Sequence, residues 1–491
     1  MATESPPSDE VQRVEQPEAV SATGDRIEEP PKQSLIARLL NPVDIASIVF
    51  FRIFFGIVSF WHVWEQVPGV KREYIDPDFH FSHFGLSFIH PLPGELMNVV
   101  FLAMAASTIF IALGFYYRWA AAAFFLLHTY AFLIDQSGYW NHYYLTSLIA
   151  FLMIFVPAHR AFSLDVARGA VRQSDFVPAW TLWILRAQMG ITYFFAGLAK
   201  INSEWMAGRP MDHYLENHQD FPLIGRFFTE PLVMDLATYL GMSFDLLVLP
   251  LLLWKPTRYF AMAAVVGFHL FNSLIFNIEV FPWLAIAATL LFLEPGWPRL
   301  GNQWRRLTET PGPDLVPVRT GLSNPQKAIA GVLAVYFLVQ VLMPLRHYAY
   351  PGNTEWTSEG YFFSWRMLLA DKEGRIQFHI RDKATGDVCR IDVGSYVAGY
   401  QASKLSERPD MMVQFANRVA DRYMTLRGQD IEVYAWSEVT LNGRPYLGFI
   451  DPTVDLTQEE RSLGHHSWII PLDEAREIEV PAVARCPERV T

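Results

Sequence analysis

Long runs of apolar residues, separated by short polar stretches, dominate the first 345 residues of the chain. The longest runs approach the roughly 20 residues that an α-helix needs to cross the hydrocarbon of a bilayer. We identify nine runs, at residues 43–65, 96–115, 119–134, 141–157, 180–199, 233–254, 259–277, 279–293 and 327–345. Several are shorter than a full span, and 279–293 is also compatible with a re-entrant segment. The pattern predicts a polytopic all-α membrane bundle of about nine transmembrane segments.

Alternating polar and apolar positions replace these runs after residue 345. Residues 375–382 and 389–393 alternate and are separated by a turn, and a helical stretch follows at 409–427. Residues 432–451 predict two strands joined at Asn442-Gly443, a dipeptide that strongly favours a hairpin. The pattern therefore predicts a small β-rich α+β domain.

The first residues of the chain follow neither pattern. They are acidic, rich in proline and without apolar periodicity, which predicts a disordered tail. They also lack the basic stretch and apolar core of a cleaved signal peptide. We therefore divide the chain into a tail (1–35), a transmembrane helical domain (36–345) and a β-rich domain (346–491).

Basic loop residues predict the orientation in the membrane. With the N-terminus in the cytoplasm, the cytoplasmic loops contain far more Lys and Arg than the opposite loops, as the positive-inside rule requires. The cytoplasmic set is Arg118, Arg160, Arg168, Arg172, Lys255, Arg258, Arg299, Arg305, Arg306, Arg319 and Lys327; the opposite set is Lys71, Arg72, Arg209 and Arg226. An odd number of spans then places residues 346–491 outside the cytoplasm.

Composition narrows the class of protein. Of 491 residues, 51% are hydrophobic and only 18% are charged, below the roughly 25% of an ordinary soluble domain. A net charge of −11 argues against nucleic-acid binding. The two cysteines, Cys389 and Cys486, are too few for a zinc ribbon or an iron–sulfur cluster. They can form one disulfide in an oxidising compartment or remain two free thiols.

Ionisable side chains inside predicted spans are the candidates for function, because they are costly in hydrocarbon and face the bundle interior. Lys200 closes the run 180–199. It either extends to the lipid headgroups or lies among aromatic groups, where burial would lower its pKa and leave a neutral amine that can act as a base. Gly197 favours the second reading, because small residues let neighbouring helices approach closely.

Other polar residues in these segments have a structural and a functional interpretation. His142 can bond a backbone carbonyl or serve a site, and Asn272, three residues after His269, can join helices or line a cavity. Neither histidine has carboxylate or thiolate partners at ligand spacing, so we predict no metal.

Two arginines and two tryptophans complete the set of candidates. Arg52 and Arg186 either pair with Asp135 or Asp245 or shape a cavity that takes an anion. Trp356 and Trp365, just past the last span, are explained by an interfacial aromatic belt or by contact with a substrate.

Six segments of the chain together resemble the vitamin K-dependent γ-glutamyl carboxylase family. They are FRIFFG around Arg52, DQSGYWNHYYL, AGLAKINSEW, FHLFNSLIFNIEVFPW, EWTSEGYFFSWRM and FIDPTVDL. The resemblance runs in order from about residue 43 to 475. It implies a membrane enzyme that oxidises reduced vitamin K (phylloquinol or menaquinol) with O2, generates a strong base, removes a γ-proton from glutamate and adds CO2.

The resemblance also assigns residues. The family's catalytic lysine falls on Lys200, although the first of two tandem vertebrate lysines is Ala199 here. Its functional histidines fall on His142, His269 and His347, and Asn141 accompanies His142. We expect Asn141, Arg52, Arg186 and Asn272 to contact the cofactor and Trp356 and Trp365 to lie on the substrate side.

The implied partners are a glutamate-containing protein or peptide, membrane lipid and an isoprenoid quinone. The chain lacks the long C-terminal extension of the animal enzymes, and its membrane part has no cysteine to tie it to the outer domain. The compact size and the acidic tail suggest a bacterial relative in the inner membrane, with the C-terminal domain in the periplasm. Two alternatives stay open: a quinol epoxidase without carboxylation, and a non-enzymatic lipid- or quinone-binding module.

Overall fold

A computed structural model describes residues 34–276, 278–300 and 322–486; most of the predicted tail lies outside these residues. Helices build the described part of the bundle. They are α1 (Ala46–Gln66), α2 (Leu96–Leu113), α3 (Tyr117–Ile134), α4 (Asn141–Phe155), α5 (Trp180–Ala199), α6 (Pro231–Leu253), α7 (Arg258–Ile275), α8 (Phe281–Thr289) and α9 (Asn324–Leu345). Two short strands, Pro42–Asp44 and Phe176–Pro178, pair before α1 and α5.

Each of the nine predicted segments contains a helix, but the count of nine spans is not confirmed. Within the described residues, six helices are long and apolar enough to cross a membrane. Helix α4 has only 15 residues and α8 only nine, short of a full hydrocarbon width at 1.5 Å per residue. Helix α3 has 18 residues but includes Arg118 and His128, which lower its hydropathy. The orientation of the C-terminal domain therefore stays a prediction.

Small residues set how closely the membrane helices approach. A Cβ added at Gly56 in α1 would lie 2.7 Å from Ala112 in α2. A Cβ added at Gly197 in α5 would lie 2.8 Å from Leu246 in α6. Real Cβ atoms do not approach neighbours that closely, so only glycine permits these contacts. The role predicted for Gly197 in close helix packing is confirmed.

Arg52 links two segments at the end of the bundle that lies away from the C-terminal domain. Its side chain is fully buried. One guanidinium nitrogen, Nη1, donates to the carbonyl oxygens of Ala158 at 2.9 Å and Ala161 at 3.3 Å, and Nη2 donates to that of Phe162 at 2.6 Å. These bonds tie α1 to the loop after α4, so Arg52 has a structural role here.

An antiparallel sheet organises the C-terminal domain. Its strands are β1 (Lys372–Asp382), β2 (Val388–Arg390), β3 (Ile431–Leu441) and β4 (Leu447–Gly448), in the order β2-β1-β3-β4. Helices α10 (Gly399–Leu405) and α11 (Pro409–Arg427) lie between β2 and β3 in the chain.

The sequence predicted much of this domain. The helix at 409–427 is confirmed, and so is the turn at Asn442-Gly443, where both residues have positive φ angles of 52° and 75°. The central pair of the sheet, β1 with β3, was not predicted, because its strands are separated by two helices. Cys389 and Cys486 form a disulfide, which decides between the two alternatives for these cysteines.

The C-terminal domain packs against the loops at one end of the bundle. Gln136, after α3, donates to Asp410 at 2.6 Å. Asp135 accepts a hydrogen bond from Gln401 at 2.7 Å, so the proposed pairing of Asp135 with Arg52 or Arg186 is wrong. Phe81, in the loop between α1 and α2, is fully buried in the core of the C-terminal domain. These contacts hold the loops at this end of the bundle against the C-terminal domain.

Candidate active site

A cavity of about 360 Å³ lies where the bundle meets the C-terminal domain. This volume is within the range of about 300–1,000 Å³ that is usual for small-molecule sites. The bundle side is mainly apolar and aromatic, with Met189, Phe268 and Phe281 in its wall. The opposite side is rich in charged groups, namely Glu355, Arg366, Asp371, Lys372, Lys404, Glu407 and Arg408.

Lys200 lines this cavity and pairs with a carboxylate. Its Nζ donates to Oδ2 of Asp245 at 2.8 Å, and both residues are only 5% exposed. The Trp205 ring lies 5.1 Å from the ammonium. Lys200 therefore does not extend to lipid headgroups, and Asp245 is not the partner of an arginine. Gly197 explains the pair: its close contact with Leu246 brings α5 against the turn of α6 that holds Asp245.

His269 lines the same cavity with one ring nitrogen unpaired. Its Nε2 lies 2.8 Å from the hydroxyl of Tyr193, while its Nδ1 is buried without a hydrogen-bond partner. Buried polar atoms almost always have partners, so an unpaired one in a cavity wall indicates a place for a polar ligand atom. Asn272, one turn further along α7, also lines the cavity.

His142 and Asn141 enter the cavity from the start of α4. The Nε2 of His142 lies 3.3 Å from Oε2 of Glu279. Asn141 donates from Nδ2 to the carbonyl oxygen of Arg366 at 3.2 Å, and its own Oδ1 accepts from the Tyr139 hydroxyl at 3.1 Å. The first helical turn of α4 is thus fixed to both the bundle and the C-terminal domain.

Further buried histidines lie behind His142. His62 Nδ1 is 3.7 Å from the same Glu279 carboxylate, and the Nε2 atoms of His62 and His128 are 3.4 Å apart. His128 Nδ1 contacts the Ser147 hydroxyl at 2.9 Å. The Glu279 carboxylate is the group that orients His142, and it is shared with His62.

The charged wall contains a buried ion pair with a free donor. Arg366 donates from Nε to Oε1 of Glu355 at 2.7 Å, and its Nη1 is buried with no partner. Lys372 donates to the carbonyl oxygens of Glu407 at 2.8 Å and Trp356. Burial lowers the pKa of Lys372 to about 7. The wall therefore offers a guanidinium donor and an ammonium that titrates near neutrality.

Backbone strain accompanies this wall. Phe363, Trp365 and Leu368 all have φ near +59°, a region that non-glycine residues seldom adopt. Such strain clusters at functional sites, where the surrounding structure imposes it. Here the segment places Arg366, Met367 and Leu368 in the cavity wall.

Trp356 and Trp365 have structural positions rather than the predicted substrate-facing ones. Both are fully buried and neither lines the cavity. Trp356 donates from its indole to the carbonyl oxygen of Ile470 at 2.7 Å, and Trp365 stacks on Tyr144. An interfacial aromatic belt does not describe them either, because they pack inside the protein.

Three other predicted residues lie away from the cavity. Arg186 donates to the carbonyl oxygens of Leu291 at 2.8 Å and Leu293 at 3.1 Å. His347 contacts the carbonyl oxygen of Pro344 at 2.7 Å. Together with Arg52, they line no part of the cavity, and their described hydrogen bonds go to backbone carbonyl oxygens.

Sequence reasoning missed several residues that the fold brings to the site. Tyr193 and Glu279 were overlooked because each is ordinary in its local sequence. Arg366 and Lys372 come from a domain whose docking no local pattern reveals. The segment EWTSEGYFFSWRM contains both members of the Glu355–Arg366 pair and was the one available signal. In the described ranges, no group of three or more His, Cys, Asp or Glu side chains is arranged to hold a metal ion.

Two models of known protein families together match most of the chain. Residues 40–297 match the model of the HTTM domain. Residues 325–475 match the model of the vitamin K-dependent gamma-carboxylase lumenal domain. No solved structure matches the chain. The first match covers α1 to α8, and the second covers α9 and most of the sheet-containing domain. The chain belongs to the vitamin K-dependent gamma-carboxylase family.

Proposed function

We propose that this protein carboxylates glutamate side chains of a protein or peptide and couples that reaction to epoxidation of reduced vitamin K by O2. The observation that carries the proposal is a single cavity with two unlike walls. One wall holds Lys200 and two histidines among apolar and aromatic side chains, and the other holds four cationic side chains beside three carboxylates. A quinol and a carboxylate side chain have matching properties.

The bundle wall fits a quinol. Met189, Phe268 and Phe281 provide apolar and aromatic surface, and the unpaired Nδ1 of His269 offers a polar contact for a ring oxygen. When bound, reduced vitamin K supplies, with O2, a base stronger than any side chain. The protein's own part is to hold the quinol, accept its hydroxyl proton at the Lys200–Asp245 pair and exclude water.

The opposite wall fits the glutamate substrate. The free Nη1 of Arg366 and the ammonium of Lys372 can bind a γ-carboxylate. Arg408 adds a third cation to this wall. A carboxylate held there would present its γ-carbon towards the apolar wall, and CO2, which is uncharged, can enter the same space. An enzyme that only epoxidised quinol would not need the unpaired guanidinium nitrogen and the ammonium of this charged wall.

The disulfide and the loop charges support a location for the protein. Cys389–Cys486 indicates that the C-terminal domain faces an oxidising compartment. We propose a bacterial inner membrane with the N-terminus in the cytoplasm and this domain in the periplasm. The cavity then opens towards substrates outside the cytoplasm.

The experiment is incorporation of labelled CO2 into a glutamate peptide by the purified protein with reduced vitamin K and O2. We expect label in the peptide together with quinol epoxide. Lys200→Ala should yield neither product, whereas Lys383→Ala, an exposed lysine of the C-terminal domain, should yield both. Epoxide without labelled peptide would reduce the proposal to a quinol epoxidase, and neither product from the wild type would refute it.

A further inference from the structure

The Lys200–Asp245 ion pair has a consequence for proton transfer. A lone lysine must be neutral before it can accept a proton. Here the ammonium has a carboxylate 2.8 Å away, and both groups are buried. A carboxylate at this distance stabilises the ammonium form. The lone neutral amine expected from sequence is therefore not the arrangement that the fold provides.

We propose that Asp245 and Lys200 act as one proton-accepting unit, in which Asp245 takes up the charge change. The inference rests on the proposed function, since it concerns the hydroxyl proton of the quinol. The O–H bond breaks, its electron pair stays on oxygen, and the proton joins the pair. The pair goes from a net charge of zero to +1, which stabilises the anion left in the cavity.

The Lys200–Asp245 pair as base and Lys200 alone as base predict opposite effects when the carboxylate is removed. The fully protonated pair can lose a proton from either of its two groups. It therefore becomes able to accept the quinol proton at a pH no higher than the pH at which a lysine beside a neutral amide would lose its own proton. If the pair is the base, Asp245→Asn moves the acid limb of the rate profile to higher pH. If the lone amine is the base, removing its counterion moves that limb to lower pH.

Other titratable groups share the cavity with the Lys200–Asp245 pair. Tyr193 and His269 lie on α5 and α7, His142 on α4, Tyr139 just before α4, and Tyr214 in a short helix between α5 and α6. The C-terminal domain contributes Glu355, Tyr361, Arg366, Asp371, Lys372, Lys404, Glu407 and Arg408. All of them are present in the wild type and in Asp245→Asn, so a difference between the two profiles isolates the carboxylate.

The test compares the pH profile of quinol epoxidation in wild type and Asp245→Asn, with folding checked by thermal melting. A shift of the acid limb to higher pH supports the paired base; a shift to lower pH, or none, overturns it. The matched control is Asp165→Asn, a buried carboxylate that accepts from the backbone of Tyr116 and Tyr117. It lies outside the cavity and should leave the limb unchanged.

A second readout does not require a stable variant. In wild type labelled with carboxyl-¹³C aspartate, infrared spectra should show a buried carboxylic acid band that grows as the pH falls. Its midpoint should coincide with the acid limb. No such band across that range would overturn the proposal. Complete inactivity of the wild type would refute the proposed function instead, while the infrared titration would still decide how the pair protonates.

Discussion

Lys372 should make the stability of the protein depend on pH in a way that one substitution removes. Burial lowers its pKa to about 7, against 10.5 for a free side chain. Between these two values the unfolded chain binds a proton that the folded protein does not. Stability therefore rises with pH across this window, and below about pH 7 the cost of a buried ammonium is present in full. Lys372→Met should abolish that dependence.

The magnitude follows from the difference in pKa. Each unit corresponds to about 1.4 kcal/mol, so the full difference sets an upper limit near 5 kcal/mol. Lys372 is partly exposed and donates to two carbonyl oxygens, so we expect about half of this limit. From about pH 7 to about pH 9 the wild type should gain roughly 1–2 kcal/mol, or several degrees in Tm. Loss of the two hydrogen bonds adds an offset that does not vary with pH.

The assay is thermal melting of both proteins in the same detergent across this pH range. The variant-minus-wild-type difference in Tm should fall steadily as pH rises, because only the wild type gains stability from Lys372. Lys383→Met, at a lysine whose side chain is 37% exposed, should melt with the wild-type slope. A constant difference between Lys372→Met and wild type would refute the reasoning, since it would mean that Lys372 titrates alike in both states.

Three further predictions concern the disulfide, the packing of α5 against α6, and the orientation of the C-terminal domain. Replacing Cys389 and Cys486 by serine should cost about 2–4 kcal/mol of stability, and the melting temperature should then no longer respond to reductant; an unchanged melting temperature would contradict this. Gly197→Val should separate α5 from α6 and lower the quinol epoxidation rate at least tenfold, whereas Gly267→Val, where a Cβ meets nothing within 4 Å, should have little effect; equal effects would be evidence against the packing argument. A cysteine introduced at the exposed residue Thr385 should react with an impermeant reagent on intact cells, and reaction only after permeabilisation would reverse the proposed orientation.

The sequence predicted the features that depend on local pattern. The helix at 409–427 and the turn at Asn442-Gly443 follow from periodicity and backbone preference, and both are confirmed. The convergence of Lys200, His142 and His269 on one cavity follows from the cost of polar groups in hydrocarbon. Their catalytic roles stay predictions.

Features that depend on distant parts of the chain could not be predicted. Arg52 bonds to backbone carbonyls more than a hundred residues away, and carbonyls give no signal in the sequence. Asp245 could not be matched with Lys200, because the choice depends on which glycine lets two helices meet. Lys372 and Arg366 reach the cavity only through docking of the C-terminal domain.

The central claim is that one cavity couples quinol oxidation to carboxylation of glutamate. It is tested most directly by mass spectrometry of quinol epoxide and glutamate peptide from one reaction of the purified wild type with reduced vitamin K, O2 and CO2. Our account predicts that both products form together, that the peptide gains the mass of CO2 on a glutamate, and that Lys200→Ala yields neither. A peptide of unchanged mass beside abundant epoxide, or full activity in Lys200→Ala, would contradict it.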